Sequence, residues 1–524
     1  MEFLLLIAIP SLLSMMVATD LGEEGTAEGS VGDDPERPVL DLSEPNILPD
    51  QAEPNNIITP TGQYVSDDLF GTNAVYTVHT DGGEMTGGFQ NAIETFEIEN
   101  LRFPAGQAEG FAWQVEGEDW IDITTLSEDG ALRAELTNFL SSVEGGVTLT
   151  IPTTNAPLDG YGTHLATWTT LVMDEYGEKI DAIEIGNEYW AHMDEHEYGE
   201  RANIAVLAIA NGMENAGVGD ADILVQMASP HAESAFHQSV DNRGYGVRVQ
   251  EANQAIIDQL DPAARAEIDG VVEHYYWSQS AGPFQDDQSE TNFMNLDIAV
   301  WDENFDHELD FHITEWNIRM SDDDCNGLQG VGVLIEMVEN MVELGVDSAA
   351  VWPITHNTTN DLGGPAHDGE VRTDDQGRVI HTVRGAIFDL MSHSLPGMER
   401  IELDLETVDD DFEIAAYEHD GRFTFYISNN SLTVQDIAID LRALLPAFEG
   451  AFGVQIGYDT ATSDGRIYSP QNGSMIDANA VSVGGDDHYI NEHDTGAVLT
   501  DHTFDTPVFN VTLSPFEVIE ITAW

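Results

Sequence analysis

The sequence predicts a (β/α)8 barrel followed by a C-terminal antiparallel β-sandwich, and two patterns along the chain carry this prediction. Between about residues 67 and 394, eight short apolar runs alternate with longer segments of helical period, which is typical of parallel strands joined by crossover helices. Beyond Pro396 the chain changes to strands in which apolar and polar residues alternate, as in half-buried antiparallel strands. A doubly wound parallel sheet is the alternative for the first pattern.

The chain begins with an apolar segment, Phe3 to Ala18. It is shorter than the ~20 residues of a membrane-spanning helix and close in length to the apolar part of a signal peptide. We therefore expect residues 1–19 to be a signal or membrane anchor and the protein to be exported, to the extracellular space, the cell surface or the periplasm. Residues 20–60 are rich in Asp, Glu, Pro and Gly, which predicts an acidic disordered linker.

Residues 61–395 are assigned to the barrel. The strand candidates are its eight short apolar runs: Ala74–His79, Leu101–Pro104, Val147–Ile151, Ala182–Ile185, Ile223–Met227, Gly270–His274, Phe311–Thr314 and Ser348–Trp352. Between the fourth and fifth runs, Asp194 and Glu197 have the spacing of a helix capping box, which predicts a helix from Asp194 to Gly217.

Residues 396–524 are assigned to the β-sandwich. Phe423, Phe425 and Ile427 alternate with polar residues, so one face of that strand is expected to be buried. The strands predicted in this way are Glu399–Leu405, Phe412–Tyr417, Arg422–Ser428, Asp436–Leu441, Val508–Leu513 and Glu517–Thr522.

The charge balance excludes whole classes of function. Asp and Glu number 97 against 16 Lys and Arg, a formal net charge of -81, so polyanions such as nucleic acids are repelled. A hydrophobic content of 42% is too high for a disordered acidic chain, so the charge must lie on a folded surface. Such a surface suits high salt, which screens the repulsion between carboxylates, and this predicts a marine or halophilic source. The single cysteine, Cys325, excludes an internal disulfide.

Two glutamates stand out at the ends of predicted barrel strands. Asn187 and Glu188 end the fourth strand in AIEIGNEYW, and Glu315 ends the seventh in DFHITEWN. Active sites of such barrels lie at the C-terminal ends of the strands, and strands four and seven face each other across the mouth. Paired carboxylates are the machinery of glycoside hydrolysis, in which one acts as acid and base and the other as nucleophile. The alternative for either residue alone is an exposed strand-end acid.

These motifs resemble those of a known group of enzymes. Asn-Glu after strand four with Glu after strand seven is similar to the retaining glycoside hydrolases of clan A, the 4/7 superfamily. LRFPAG with Arg102, Trp113 downstream of it, and His274 with Tyr276 in EHYYW resemble the α-L-arabinofuranosidase branch of this clan. A barrel followed by a β-sandwich is also the arrangement of that branch.

The resemblance implies a role for each matching residue. Glu188 is implied as the general acid/base, Glu315 as the nucleophile, and Asn187 as a partner of the 2-hydroxyl of the sugar. Tyr276 is implied to hold the nucleophile, and Arg102 to support it electrostatically. His274 is implied to orient a carboxylate or a sugar hydroxyl.

Further sugar contacts are expected from residues that follow the strands. Asn155, after the third strand, and Trp352, at the end of the eighth in AVWP, are candidates for substrate binding. Other tryptophans near strand ends can stack on sugar rings or pack in the core: Trp113, Trp190, Trp277 and Trp316.

The sequence also departs from the family pattern near the substrate. Ala105 stands where the arabinofuranosidase branch has the first glycine of Pro-Gly-Gly, and ITEWN replaces its Asp-Glu-Trp-Asn. The expected substrate is a plant or algal polysaccharide or its fragments, with α-L-arabinofuranoside first. A β-xyloside, a β-glucuronide and an endo-cleaved β-glycan of the same clan remain alternatives, and so does a non-catalytic carbohydrate-binding surface protein.

No cofactor or metal is expected from the sequence. His192, Glu195 and His196 spell an inverted zinc-protease motif, but no third ligand accompanies them. The acidic run Asp322–Asp324 lacks the spacing of a calcium-binding loop. Gly-x-Ser-x-Gly, P-loop and dinucleotide-binding motifs do not occur.

Overall fold

The structure is a computed structural model. It describes residues 46–47, 58–109, 121–154, 160–217, 221–231, 233–277, 292–319, 327–355, 361–363, 381–403, 412–442, 444–463, 465–469, 474–475, 490, 492 and 495–524. The expected signal or anchor lies outside these ranges, as do Trp113, Asn155 and Cys325 and the acidic run at Asp322–Asp324. Within them, no helix has the length and apolar character needed to cross a membrane.

Eight parallel strands form a closed barrel, as predicted. They are β1 (Gly71–Asn73), β2 (Asn100–Phe103), β3 (Gly146–Ile151), β4 (Ile180–Ile185), β5 (Asp222–Gln226), β6 (Gly270–Trp277), β7 (Asp310–Ile318) and β8 (Ser348–Val351). Each strand pairs with its neighbour in sequence, and Ala350 of β8 lies opposite Gly71 of β1. This last pairing closes the barrel, so the doubly wound alternative is wrong.

The prediction for the first strand was wrong. The strand is Gly71–Asn73, and the predicted run contains instead a short helix, Tyr76–His79. The N–H of Ala74 donates to the carbonyl of Arg102, and Nδ1 of His79 accepts the N–H of Val75 at 2.9 Å. The β-branched residues of this run suit a strand, but the pairing with β2 ends before them, and tertiary contacts override local propensity.

One long helix follows each strand and packs outside the barrel. These helices are Gly87–Thr95, Ala134–Ser142, Tyr161–Tyr176, Glu195–Ala216, Tyr245–Ile257, Asn292–Asn304, Gln329–Glu343 and Val383–Ser394. The predicted helix cap is confirmed, because the side chain of Asp194 accepts the N–H of Glu197 at 2.9 Å. The shorter elements are the helix Pro262–Arg265, the 3-10 turns Ala105–Gln107, Gly177–Lys179 and Tyr189–Ala191, and a hairpin of Thr80–Asp81 with Glu84–Met85.

The interior of the barrel is apolar at its middle and polar at both ends. Ala182 of β4, Leu224 of β5 and Val272 of β6 form a small apolar cluster of their own. Because alternate residues of a strand point to the same face, the residues two positions later also point inward. These residues, Glu184, Gln226 and His274, lie at the carboxyl end, where the active site is expected.

The C-terminal part forms two sheets, as predicted. The seven-stranded sheet contains, in order, Ile58–Tyr64, Glu399–Leu403, Phe412–His419, Arg422–Asn429, Val518–Ala523, Ala451–Tyr458 and Ala497–Phe504. The three-stranded sheet contains Asn46–Ile47, Gln435–Asp440 and Val508–Leu513. A two-residue pairing joins Tyr468–Ser469 to Ser474–Met475.

Two of these strands precede the barrel in sequence. Ile58–Tyr64 pairs antiparallel with Glu399–Leu403, and Asn46–Ile47 pairs parallel with Gln435–Asp440. A boundary drawn at residue 61 therefore divides a strand of the C-terminal sheet. The segment assigned to a linker also contributes backbone pairs to the second domain.

Both faces of the central strands of the seven-stranded sheet contribute to apolar cores. One face carries Phe425, Ile427 and Ile519, which form a core with Ile437 and Phe509 of the three-stranded sheet. The other face carries Tyr417, Tyr426, Ile456 and Val518, which belong to the same apolar core as the barrel helices. The sheet therefore lies between the barrel and the smaller sheet, and it fixes the sandwich to the barrel.

Candidate active site

The carboxyl ends of the barrel strands bring the predicted catalytic residues together. Glu188 follows β4 and is 8% exposed, whereas Glu315 lies in β7 and is 5% exposed. One side-chain oxygen of each lies within 4.8 Å of the other and of a ring nitrogen of His274. The two glutamates therefore form one pair, although 127 residues separate them in sequence (315 − 188).

Arg102 organises the floor of this site from β2. Its Nη1 donates to Glu315 Oε1 at 2.6 Å and to Asn73 Oδ1 at 3.0 Å, and its Nη2 donates to Asn187 Oδ1 at 2.6 Å. The side chain is 1% exposed. A planar guanidinium binds several acceptors in fixed directions, so Arg102 sets the positions of residues from three other strands.

Glu184 of β4 is the main partner of Arg102, and sequence reasoning missed it. Its two oxygens accept Nε of Arg102 at 2.6 Å and Nη2 at 2.8 Å, and Thr150 Oγ1 donates to it at 3.2 Å. The side chain is fully buried. Burial of a charge is costly unless the charge is paired, and this bidentate pair supplies the compensation. The sequence feature that could have pointed to Glu184 is its position as a charged residue inside the apolar run AIEI.

Glu315 is held as an anion. Tyr276 OH donates to Oε2 at 2.9 Å, on the other side of the carboxylate from Arg102. Burial alone would raise the pKa of Glu315, but the charges of His274 and Arg102 and the hydrogen bonds from Arg102 and Tyr276 outweigh it and lower this pKa. The group is therefore ionised near neutral pH, which is the state that the predicted role of nucleophile requires.

His274 lies between the two glutamates. Its Nδ1 is 3.3 Å from Glu188 Oε1 and 3.7 Å from Glu315 Oε2, and its Nε2 is 3.3 Å from the side-chain amide of Gln226. Burial by itself lowers the pKa of His274, but the charge of Glu315 and the hydrogen bond to Glu188 raise it above its ordinary value. The imidazole is thus within hydrogen-bond distance of Glu188 and interacts with the charge of Glu315.

The backbone at Glu188 is unusual. Its φ of 47° lies in the left-handed region, which costs a non-glycine residue about 1–2 kcal/mol. The residue is also the N-cap of the 3-10 turn Tyr189–Ala191. Strained backbone of this kind is concentrated at functional sites. Here it accompanies a side chain that lies beside His274 and Glu315.

Asn187 presents a donor to the site. Arg102 has only donors, so Asn187 must accept with its oxygen, and this assigns its amide orientation. Its Nδ2 is buried and has no hydrogen-bond partner among the described residues. A buried donor without a partner is costly, so this N–H can gain a hydrogen bond from an acceptor that binds in the site.

Trp352 forms one wall of the site, at the end of β8. Among the tryptophans of this set that the structure describes, Trp352 is half-buried, whereas Trp190, Trp277 and Trp316 are buried in the core. A Cβ on Gly106 would lie 3.4 Å from Trp352 and 3.5 Å from Glu315 Oε1. Glycine at this position therefore keeps the space between the indole and the carboxylate open.

Within the described ranges, His192, Glu195 and His196 do not belong to any group of ligand atoms close enough to hold a metal ion. Glu195 accepts the hydroxyl of Ser234 and the N–H of Ala235, so its carboxylate fastens a loop. Glu188, His274 and Glu315 are close enough to hold a metal ion. The guanidinium of Arg102, 2.6 Å from Glu315, places a positive charge where such an ion would bind, and this disfavours a cation there.

Comparison with known proteins gives the fold. No protein-family model and no curated protein matches the sequence. The GH51 arabinofuranosidase from Xanthomonas axonopodis pv. citri has a similar structure, with a TM-score of 0.52 and 12% identity over 89% of this chain and 98% of that one. A second solved arabinofuranosidase gives 0.53 and 14% identity over 90% and 99%.

A third similar structure is a 4-O-α-L-rhamnosyl-β-D-glucuronidase from Fusarium oxysporum 12S, with a TM-score of 0.52 and 12% identity over 89% of this chain and 98% of that one. The fold is that of the clan A glycoside hydrolases. The predicted resemblance to this clan is thus confirmed at the level of the fold, with the arabinofuranosidase branch among the similar structures.

Proposed function

We propose that this chain is a retaining glycoside hydrolase with Glu188 as acid/base and Glu315 as nucleophile. The observation that carries the proposal is the separation of the two carboxylates. One oxygen of each lies within 4.8 Å of the other. Retaining enzymes hold their carboxyl groups ~5–5.5 Å apart, whereas inverting enzymes need ~6.5–9.5 Å to admit a water molecule.

In the first step, the ionised Glu315 attacks the anomeric carbon while Glu188 gives its proton to the departing glycosidic oxygen. A bond from the anomeric carbon to Glu315 forms as the glycosidic bond breaks. Arg102 and Tyr276 hold Glu315 from two sides, which orients its remaining lone pairs toward the sugar. Positioning of this kind removes part of the entropic barrier.

In the second step, Glu188 accepts a proton from water, and the water oxygen displaces Glu315 from the anomeric carbon. His274, within 3.3 Å of Glu188, keeps this carboxylate over the reaction centre through both steps. The unpartnered Nδ2 of Asn187 is placed to donate to the 2-hydroxyl of the sugar, a contact that strengthens as charge develops in the transition state.

We propose α-L-arabinofuranosides of plant or algal polysaccharides as the substrate. The motif around Arg102 and the pair His274 and Tyr276 support this choice, and so does the fold shared with two arabinofuranosidases. The other substrates of the clan, β-xylosides, β-glucuronides and β-glycans, are the comparison set for the experiment. Export and adaptation to high salt are further parts of the proposal, based on the apolar N-terminus and the net charge of -81.

The test is hydrolysis by the purified full-length chain, in high salt, of 4-nitrophenyl glycosides of these sugars and of the corresponding polysaccharides. The anomer formed first, followed by proton NMR, reports the stereochemistry. We expect release of arabinose with retained configuration. An inverted first product would exclude the double displacement, and turnover of another sugar alone would replace the proposed substrate.

Variants assign the two roles. Glu315→Gln should lower kcat about 10³-fold or more, and Glu188→Gln about 10²- to 10⁴-fold. Sodium azide should restore turnover of a dinitrophenyl glycoside by Glu188→Ala, because azide attacks the glycosyl-enzyme without a general base. The matched control is Glu402→Gln, an exposed residue of the C-terminal sheet. A folded parent that binds glycans but turns over none of them would favour a carbohydrate-binding protein instead.

A further inference from the structure

The opposite end of the barrel carries a second cluster of ionisable residues. Asp222 begins β5, Asp310 begins β7, and His312 lies two residues further along β7. Their ligand atoms all lie within 4.8 Å of one another. His312 and Asp222 line an open cavity of about 880 Å³ at the amino ends of the strands. This cluster is therefore separate from Glu188 and Glu315, which lie beyond the apolar middle of the barrel.

The strand between β5 and β7 leaves room for the cluster. Gly270 begins β6 and pairs with Leu224 on one side and Asp310 on the other. A Cβ at Gly270 would lie 3.1 Å from Cδ2 of His312 and 2.6 Å from the carbonyl of Asp310. A side chain at position 270 would therefore occupy the space in which side chains of β5 and β7 approach each other.

His312 has an unsatisfied polar atom. The residue is 7% exposed, and its Nε2 has no hydrogen-bond partner among the described residues. A buried polar atom without a partner is costly. The missing partner of His312 Nε2 is a feature separate from the clustering of the aspartates, because an imidazole nitrogen requires a hydrogen-bond or metal partner of its own.

The aspartates at this end of the barrel fall into two kinds. Asp269 Oδ2 accepts the N–H of Ile223 at 2.9 Å, and Asp347 Oδ2 accepts the N–H of Phe311 at 2.8 Å. These two carboxylates have a structural role, because their hydrogen bonds connect the starts of β6 and β8 to the neighbouring strands β5 and β7. Asp222 and Asp310, in contrast, make no side-chain hydrogen bond or ion pair within the described ranges, although both are half-buried.

We propose that Asp222, Asp310 and His312 bind one transition-metal dication, of which Zn²⁺ is the representative ion. Imidazole nitrogen suits Zn²⁺, whereas Mg²⁺ and Ca²⁺ take oxygen ligands. Three protein ligands are a common set for Zn²⁺, with water completing the coordination. Asp181 lines the same cavity, and Asp181, Asp269 and Asp347 lie close enough to Asp222 to add negative charge around it, which a bound cation neutralises.

The ion has a structural consequence. It joins β5 to β7 across β6, because its ligands come from strands that share a layer of the barrel interior. Binding to the folded state alone stabilises that state. The proposed site therefore strengthens the barrel at the end opposite the catalytic pair, and it is independent of the proposed glycosidase activity.

The experiment uses the full chain, stripped of metal with a chelator in high salt, then titrated with ZnCl₂ by calorimetry and melted with and without Zn²⁺. We expect one saturable equivalent and a raised Tm. His312→Ala and Asp222→Asn should each weaken binding at least as much as the ten- to hundredfold that loss of an outer-shell partner costs. Asp222→Asn keeps the side-chain shape, so it carries the test if His312→Ala does not fold.

Two controls separate this site from others. Asp181→Asn removes a charge from the same mouth but none of the three ligands, so it should weaken binding far less than Asp222→Asn. His274→Ala removes a residue of the catalytic end and should keep the Zn²⁺ equivalent. Loss of that equivalent in His274→Ala but not in His312→Ala would overturn the proposal. Absence of saturable binding by the parent, or equal affinity of parent and Asp222→Asn, would overturn it as well.

Discussion

The hydroxyl of Tyr276 donates to Oε2 of Glu315 over 2.9 Å. This hydrogen bond stabilises the ionised carboxylate and is one of the contacts that lower the pKa of Glu315. It comes from β6, the strand next to β7, so the geometry is fixed by the barrel itself.

Tyr276→Phe should therefore change both the rate and its pH dependence. Loss of a hydrogen bond to a charged group corresponds to about a ten- to hundredfold decrease in kcat/KM. The proposed mechanism requires ionised Glu315, the form that predominates above its pKa. The substitution raises that pKa, so the decline of kcat/KM on acidification should begin at a higher pH than in the parent.

The measurement is a pH profile of kcat/KM for parent and variant. The matched control is Tyr417→Phe, since the hydroxyl of Tyr417 lies in the C-terminal sheet and has no hydrogen-bond partner among the described residues. An unchanged acid limb in Tyr276→Phe would contradict the role assigned to this hydroxyl.

Arg102→Ala should destabilise the barrel. It leaves Glu184, which is fully buried, without its bidentate cation. Removal of one partner from a buried pair costs about 3–5 kcal/mol. Denaturant unfolding followed by tryptophan fluorescence measures the effect, because every tryptophan except Trp524 precedes residue 396.

Arg442→Ala is the comparison for this loss. Arg442 pairs with Asp440 on the surface, and its side chain is 63% exposed. An exposed pair contributes at most about 1 kcal/mol. Similar losses for Arg102→Ala and Arg442→Ala would show that the network around Arg102 is not a source of stability.

Ala105→Gly should change stability by less than about 1 kcal/mol, because two effects oppose each other. Ala105 has φ 61°, and glycine avoids the strain of a Cβ in this left-handed conformation, about 1–2 kcal/mol. The substitution also removes a fully buried methyl group and adds backbone freedom to the unfolded chain, which together cost a similar amount. Ala108→Gly, three residues later at φ -65°, has both costs without the relief of strain and should lose about 1 kcal/mol or more. Thermal unfolding of both variants tests this difference, and an equal loss in the two would contradict it.

Salt should raise the stability of the whole chain. With a net charge of -81, repulsion among surface carboxylates opposes folding, and screening shortens its range to ~3 Å at 1 M salt. We expect Tm to rise steeply from low to about 1 M NaCl and then to level off. Sucrose at matched water activity is the control, and a Tm independent of NaCl would contradict the expected adaptation to salt.

The proximity of Glu188 and Glu315 was predictable because its signals are local. Each glutamate follows an apolar run of the sequence, and the C-terminal end of a parallel barrel strand is where active sites lie. Glu184 was not predictable in the same way. In a strand buried on both faces, the sequence does not show which residues point into the barrel. The partner of the charged residue in AIEI therefore becomes evident only from the three-dimensional arrangement of the strands.

Pairing over long distances explains the other differences. Asn73 was missed as a partner of Arg102 because the first strand was placed a few residues too late. Ala451–Tyr458 was missed because Gly453 and Gly457 interrupt its alternation, although its neighbours in the sheet stabilise it. Ile58–Tyr64 has no local sign of its partner, which lies more than 330 residues away in sequence.

The strand Ile58–Tyr64 has a consequence for synthesis. It leaves the ribosome before any barrel strand, but its partner Glu399–Leu403 follows the last barrel helix. The strand must therefore remain unpaired while about 335 residues (399 − 64) are translated, at about 5–20 residues per second. During that interval its backbone groups are open to wrong partners. The strand sequence ITPTGQY is polar and contains a proline and a glycine. These residues disfavour pairing with other strands, so they limit association of the unpaired strand before its partner has been synthesised.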